Sequence, residues 1–296
     1  MEWRGVIPAI TTKFNDDLTV DHEFTAKFCN WQVDNGCTGI MALGSLGEGA
    51  TLSHDEKVAI LKTCVEAVGN RVPVVAGISA LSTAESIQLA KDAQAVGCSG
   101  LMVLPAYVYK GDWRETRAHF EAVFQATSLS CMLYNNPIAY AVDVLPEQLA
   151  ELVDRNSNLH SVKESSSDVR RVTAIRHLIG DRIAIFVGVD DAIVEAIQAG
   201  AVGWIAGLVN AFPKESVDLF NLCMEGKFDE ADAIYKWFLP LLKLDVVPKF
   251  VQLIKLTQQE VGMGTERVRP PRLELVGAER EVALATIRTG IASRPR

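Results

Sequence analysis

Eight short apolar runs, each followed by a segment with helical spacing, constrain this chain more than any other feature. The runs are GVIPAIT (5–11), GIMALG (39–44), VPVVAGI (72–78), GLMVLP (100–105), CMLYNN (131–136), LHSVKE (159–164), IAIFVG (183–188) and GWIAGL (203–208). Each has the length of a buried strand and stays apolar without a clean period of two, as strands covered on both faces do. Between them lie helix start signals. Ser53-His54-Asp55-Glu56 precedes KVAILKTCVEAV and Ser82-Thr83-Ala84-Glu85 precedes SIQLAKDAQAVG, and both read as capping boxes. Gly97, Gly180 and Gly200 stand where a left-handed C-cap would end a helix before the next strand. Eight strand-helix units within residues 1–225 predict an α/β fold of the (β/α)8 TIM barrel type rather than a doubly wound sheet.

After residue 225 the pattern changes to helices only: FDEADAIYKWFLPLLKLD, PKFVQLIKLTQQEVG, a turn at Arg269-Pro270-Pro271-Arg272, and GAEREVALATIRTG. Residues 226–296 are therefore expected to form a C-terminal helical extension. No low-complexity linker precedes it, so it is expected to pack as part of one unit, covering the barrel or a neighbouring subunit.

Charge and cysteine usage narrow the partners. A formal net charge of -8 without a dense Lys/Arg block argues against nucleic acid or an anionic membrane surface. No apolar stretch reaches the roughly 18 residues of a membrane span, and MEWRGVIPAITTKF lacks the order of a signal peptide, so a cytoplasmic protein is expected. Cys29, Cys37, Cys64, Cys98, Cys131 and Cys223 form no C-x-x-C pair and read as reduced, mostly buried thiols. The five histidines show no H-x-H; only His160 lies on a strand, where it reads as a packed core residue. No metal site is expected, and the partner is a small molecule.

In this architecture chemistry sits at the C-terminal ends of the strands. Strand two ends in GSLGEGAT (44–51), strand five in YNNP (134–137) and strand six in Lys163. A lysine partly withdrawn from water holds its proton less tightly, and its free amine can attack a carbonyl to form a Schiff base; the ordinary alternative is an ion pair with Glu164. Tyr134 offers a phenol for proton transfer. Gly44 and Gly47 permit a tight turn that aims backbone N–H groups at a carboxylate, and Ser45 adds a hydroxyl.

GSLGE, YNNP and VKESS, in this order and spacing, resemble the dihydrodipicolinate synthase and N-acetylneuraminate lyase superfamily of Schiff-base enzymes over nearly the whole chain. The resemblance implies that Lys163 is the Schiff-base lysine, Tyr134 the general acid/base and Ser45 the relay hydroxyl. It also implies a tyrosine entering from a neighbouring subunit, Tyr107 at the matching place with Tyr109 as a second candidate because the loop length differs by one, and hence a homo-oligomer, commonly a dimer of dimers. Leu46, Gly47, Asn136, Gly188 and Ile205 match substrate-binding positions. No metal or organic cofactor is implied beyond the imine on lysine.

Two departures bear on the substrate. Synthases that take aspartate semialdehyde carry an arginine shortly after YNxP, whereas this chain reads YNNPIAYAVDV; and the second hydroxyl of the GTTGE or GSTGE loop is here Leu46. The motifs look most like the Δ1-pyrroline-4-hydroxy-2-carboxylate deaminases of hydroxyproline breakdown, which would release ammonia and 2-oxoglutarate semialdehyde. A pyruvate-dependent aldolase or 4-hydroxy-tetrahydrodipicolinate synthase, and a 2-keto-3-deoxy sugar acid dehydratase, stay open as alternatives. A barrel that binds without catalysis would not need Lys163, Tyr134 and Ser45 together. Of the remaining polar residues, Asp190-Asp191 is expected to cap the following helix and Glu48 to brace its own loop, while Trp204 stands beside the site.

Overall fold

The computed structural model describes residues 1–295 and contains eight parallel strands: β1 (Gly5–Pro8), β2 (Ile40–Ala42), β3 (Val74–Ile78), β4 (Gly100–Val103), β5 (Ser130–Asn135), β6 (Leu159–Glu164), β7 (Ala184–Val187) and β8 (Gly203–Ala206). Seven lie inside their apolar runs, and β5 starts one residue before its own, at Ser130. The order β1-β8-β7-β6-β5-β4-β3-β2 is that of a (β/α)8 barrel, and the last seam closes through an Ala9–Met41 bridge and an Ile10 N–H to Met41 carbonyl bond of 2.9 Å.

Helices α1 (His22–Asp34), α2 (His54–Val68), α3 (Thr83–Ala95) and α4 (Trp113–Gln125) follow the first four strands. A short α5 (Pro137–Tyr140) then precedes α6 (Pro146–Arg155), α7 (Arg170–Ile179), α8 (Ile193–Gln198) and α9 (Pro213–Met224). Residues 225–227 lead to α10 (Phe228–Leu242), α11 (Phe250–Glu260) and α12 (Gly277–Ala292). One apolar core runs from the barrel strands into these last helices through Phe238, Leu241, Ile254 and Leu284.

The capping signals act with one difference. Ser53 and Glu56 exchange both bonds of a capping box, whereas Ser82 accepts from the Glu85 N–H without a return bond; the Glu85 side chain instead lines the cavity at the strand ends, within electrostatic range of Lys57. Gly97, Gly180 and Gly200 all take positive φ, at 94°, 65° and 111°.

Register decides which side chains face inward. Tyr134 pairs with Lys163, Lys163 with Phe186, and Phe186 with Gly203, so these four share the inner face. A Cβ on Gly203 would stand 2.2 Å from the Phe186 ring, which is why the large aromatic faces a glycine in that layer. All six cysteines are buried and free. His160 departs from expectation: it is exposed near the start of β6, with Nδ1 and the Ser130 hydroxyl 2.7 Å apart, because it takes the outward phase of the strand before the helices cover it. Among the described residues, no helix is long and apolar enough to cross a membrane.

Candidate active site

The strand ends open into a cavity of about 1240 Å3 lined by Lys163, Tyr134, Ser45 and Tyr107. Lys163 is 6% exposed, with Nζ 4.4 Å from the centroid of the Tyr134 ring. Adjacent strand residues point to opposite faces, so Glu164 turns away from the cavity; its carboxylate accepts from Asn135 Nδ2 at 3.0 Å and from the Ser166 N–H at 2.6 Å. The lysine is thus not paired with its neighbour. Gly188 leaves room for it: a Cβ there would lie 2.2 Å from Lys163 Cε and 2.1 Å from Ser165 Oγ.

The phenols meet beside the lysine. Asn136 Nδ2 donates to the Tyr134 hydroxyl at 2.9 Å, and Asn136 Oδ1 caps α5 by accepting from the Ala139 N–H at 3.0 Å. That single turn brings Tyr140 back over the site. Its ring packs edge-on to Tyr134 at 5.8 Å and stacks on Tyr107 at 5.5 Å, and its hydroxyl is hydrogen-bonded to Ser45. Burial raises the pKa of Tyr107 and, together with the neighbouring phenols, that of Tyr140. Both therefore stay neutral near pH 7 and keep their hydroxyl protons. Removing only the relay oxygen in Tyr140→Phe is expected to lower turnover by roughly 100-fold, the low end for a positioned acid-base group, with little change in thermal unfolding; activity within about threefold of the parent would remove Tyr140 from the relay.

Within its own chain Tyr107 stacks on Tyr140, which joins Ser45 and Tyr134 at the same cavity. Other expectations need correction. Tyr109 is 59% exposed and donates to Glu115 Oε1 at 3.0 Å, outside that cluster. Leu46, Asn136 and Gly188 line the cavity, but Gly47 and Ile205 do not. Gly47 is a packing position whose Cβ would approach the Ile10 carbonyl to 2.9 Å, while Ile205 sits a layer below Gly207 on the inner face of β8. Trp204 takes the opposite face, fully buried, and donates to Asp190.

Asp190 and Glu48 also work at longer range than their loops imply. Asp190 makes no cap on α8; its carboxylate accepts from the N–H groups of Gly207, at 3.1 Å, and Leu208, at 2.8 Å, tying the loop after β7 to the loop after β8. Burial pushes its carboxyl up to about 6, against those bonds and the Lys163 charge, which pull it down. Glu48 accepts from Lys255 Nζ at 2.8 Å and from the Arg269 N–H at 3.0 Å, clamping the C-terminal helices onto the catalytic loop rather than bracing its own turn.

The sequence reading missed Tyr140, Ser165, Arg272 and Asp245, all of which line the cavity. Tyr140 stood within reach in YNNPIAY, six residues after Tyr134, had the turn at Pro137 been read. Nothing local marks Asp245, which belongs to the turn between α10 and α11. Among the described residues, no group of three or more His, Cys, Asp or Glu side chains is placed to hold a metal ion.

Known proteins share this fold and much of this sequence pattern. The model of the Dihydrodipicolinate synthetase family matches residues 2–289. A 4-hydroxy-tetrahydrodipicolinate synthase of Bartonella bacilliformis is 30% identical over 284 residues, 96% of this chain and 97% of that protein. The solved structure of a 4-hydroxy-tetrahydrodipicolinate synthase from Methylacidiphilum fumariolicum SolV superposes with a TM-score of 0.93 at 27% identity, covering 98% of both chains. A prophage protein of the same family from E. coli K12, solved with pyruvate, gives 0.92 at 26% identity, covering 98% of this chain and 99% of its own.

Proposed function

The chain belongs to the dihydrodipicolinate synthetase family, and on that premise we propose that it is a lyase holding a 2-oxo or cyclic 2-imino acid as a Schiff base on Lys163. Enzymes of this family carry their substrate as an imine on lysine and need no further cofactor. The observation that carries the assignment to Lys163 is its place at the rim, buried at 6% exposure against Tyr134.

The finer reading is elimination with release of ammonia. Lys163 attacks C2 of Δ1-pyrroline-4-hydroxy-2-carboxylate, and collapse of the adduct opens the ring to a lysine-bound imine with a free amine at C5. The imine acidifies C3–H; Tyr134, backed by Ser45 and its tyrosine neighbours, takes that proton, and the C4 hydroxyl leaves. Tautomerisation turns the C5 amine into an imine, water releases ammonia, and hydrolysis at Lys163 frees 2-oxoglutarate semialdehyde. Two features support this over condensation with an aldehyde acid: α5 contributes Ala139 and Tyr140 but no basic group, and Leu46 presents no hydroxyl to the cavity.

A second reading has its own support. Relatives spanning nearly the whole chain bear the name 4-hydroxy-tetrahydrodipicolinate synthase, which favours a pyruvate-dependent condensation more directly than it favours ammonia release. Arg272, whose guanidinium reaches the cavity wall 3.9 Å from Glu48, offers a cation from the C-terminal extension in place of one on α5. Intact mass after borohydride reduction, with the cyclic imine and with pyruvate in separate tubes, decides between the readings when ammonia is assayed in parallel. An adduct and ammonia from the imine support elimination. An adduct with pyruvate and none of either from the imine overturn it.

Oligomerisation belongs to the same proposal. Leu81, Val108 and Ile138 stand 68%, 92% and 72% exposed around the cavity mouth, an apolar rim that contact between copies would cover. Sedimentation velocity tests this, and a monomer at micromolar concentration would overturn it.

A further inference from the structure

Opposite Tyr134, the cavity is closed by a residue from outside the barrel. Asp245 ends a single 3-10 turn, Lys243–Asp245, that follows α10, and its carboxylate lies across Gly207 at the end of β8. The approach is close: a Cβ on Gly207 would fall 1.9 Å from Asp245 Oδ1 and 2.4 Å from its Cγ. Oδ1 is buried and finds no hydrogen-bond partner among the described residues. A buried carboxyl oxygen left without a partner is costly, and Asp245 lines the same cavity as Lys163.

Its electrostatic setting is unlike that of a surface aspartate. Burial and the carboxylates of Asp190 and Asp191 raise its pKa, against the pull of the Lys163 ammonium. A carboxyl group in such surroundings holds a proton it can give up when charge develops nearby. Ser165 Oγ, also buried and without a partner, lies on the same side of Lys163, beside Gly188. The phenols and Ser45 occupy the β2 and β5 side, so the two sides of a lysine-bound substrate face different acids.

We propose that Asp245 is the acid that protonates the departing hydroxyl of the lysine-bound substrate, a division of labour in which Tyr134 handles the C3 proton and Asp245 the leaving group; this rests on the elimination reading. The electron count closes without a co-reactant. Tyr134 and its relay remove the C3 proton, and the C3–H pair becomes the C2–C3 double bond of an enamine. The enamine nitrogen lone pair then re-forms the C2 iminium, the C2–C3 pair becomes the C3–C4 double bond, and the C4–O bond breaks with its electrons on oxygen. Asp245 supplies the proton that makes this oxygen water, and recovers one from solvent.

Asp245→Asn keeps the size and polarity of the side chain but removes the transferable proton. With the hydroxylated cyclic imine, its borohydride-trapped adduct is expected to form in the parent's yield but to be heavier by one water than the parent's, because the reaction stops before elimination. Ammonia release falls by on the order of 100-fold, as for loss of a positioned general acid, and Asp245→Glu restores part of it. Gly207→Ala, which drives a methyl group into the carboxylate, is expected to match Asp245→Asn. Ammonia release within about threefold of the parent in Asp245→Asn overturns the inference while leaving the elimination reading intact. Loss of adduct and ammonia together assigns Asp245 to the scaffold and also overturns it. A parent that releases no ammonia from the imine overturns both.

Discussion

Replacement of Lys163 by Ala is expected to abolish the borohydride-trapped adduct and lower turnover by on the order of 10⁴-fold or more, the scale on which loss of a covalent nucleophile acts. The reason is chemical rather than structural. No other group on the inner face of the strand ends can form an imine, and the phenols beside it act only on a substrate already held there. Unfolding should change little, because the side chain lies along an open cavity that water can refill and its place on β6 is held by backbone pairing to β5 and β7. Mass spectrometry of the reduced complex and a melting curve on the same preparation check both halves. An adduct that persists in the variant would place the Schiff base elsewhere, with Lys57, half-buried on the same cavity wall, the first residue to examine.

The largest effect on stability is expected far from the substrate, at Lys255. Lys255 is 1% exposed; its ammonium donates to Glu48 at 2.8 Å and to the Thr12 carbonyl at 2.8 Å, and sits 4.7 Å from the centroid of the Phe14 ring. Glu48 is fully buried, so Lys255→Met leaves a carboxylate in the interior with only the Arg269 N–H and a distant Arg272 to face it. Breaking a buried pair in this way costs about 3–5 kcal/mol. Urea unfolding should show a lower midpoint with an unchanged slope, and the double variant Lys255→Met with Glu48→Gln should recover part of the loss. A single variant that unfolds like the parent would mean that water reaches Glu48 as easily as Lys255 does. Because Glu48 sits three residues after Ser45 with φ 55°, the single variant is also expected to loosen the catalytic loop.

These two sites differ in how far the chain announced them. Lys163 was visible because a lysine at the end of an apolar run is chemically out of place, and because the run sits sixth in a series whose period already implied a barrel. Asp190 and Glu48 were visible as residues but not as interactions. Each reaches a partner on another element: Asp190 spans 17 residues to Gly207, and Glu48 spans 207 to Lys255. Local patterns such as caps and turns describe neighbours a few positions away, so a carboxylate with a remote partner is assigned by default to its own loop. His160 failed for a related reason, since period-two phase on a strand says which residues share a face but not where the covering helix begins.

Tyr140 marks the limit most clearly. The motifs pointed to Tyr107 and Tyr109, but only the turn at Pro137 returns Tyr140 to the site, where it stacks on Tyr107.

What the sequence by itself determined is the repeat of buried strands and covering helices, because solvent partition acts on every residue in turn and a period survives in one dimension. It also determined the presence of an amine, a phenol and a hydroxyl at strand ends. What only the tertiary structure decided is which groups meet: Tyr140 with Ser45, Lys255 with Glu48, and Asp245 with the cavity of Lys163. Such meetings depend on chain closure and on helices that return from the C-terminal end. Hydrogen bonds and charges act over a few ångströms of space, whatever the distance along the chain.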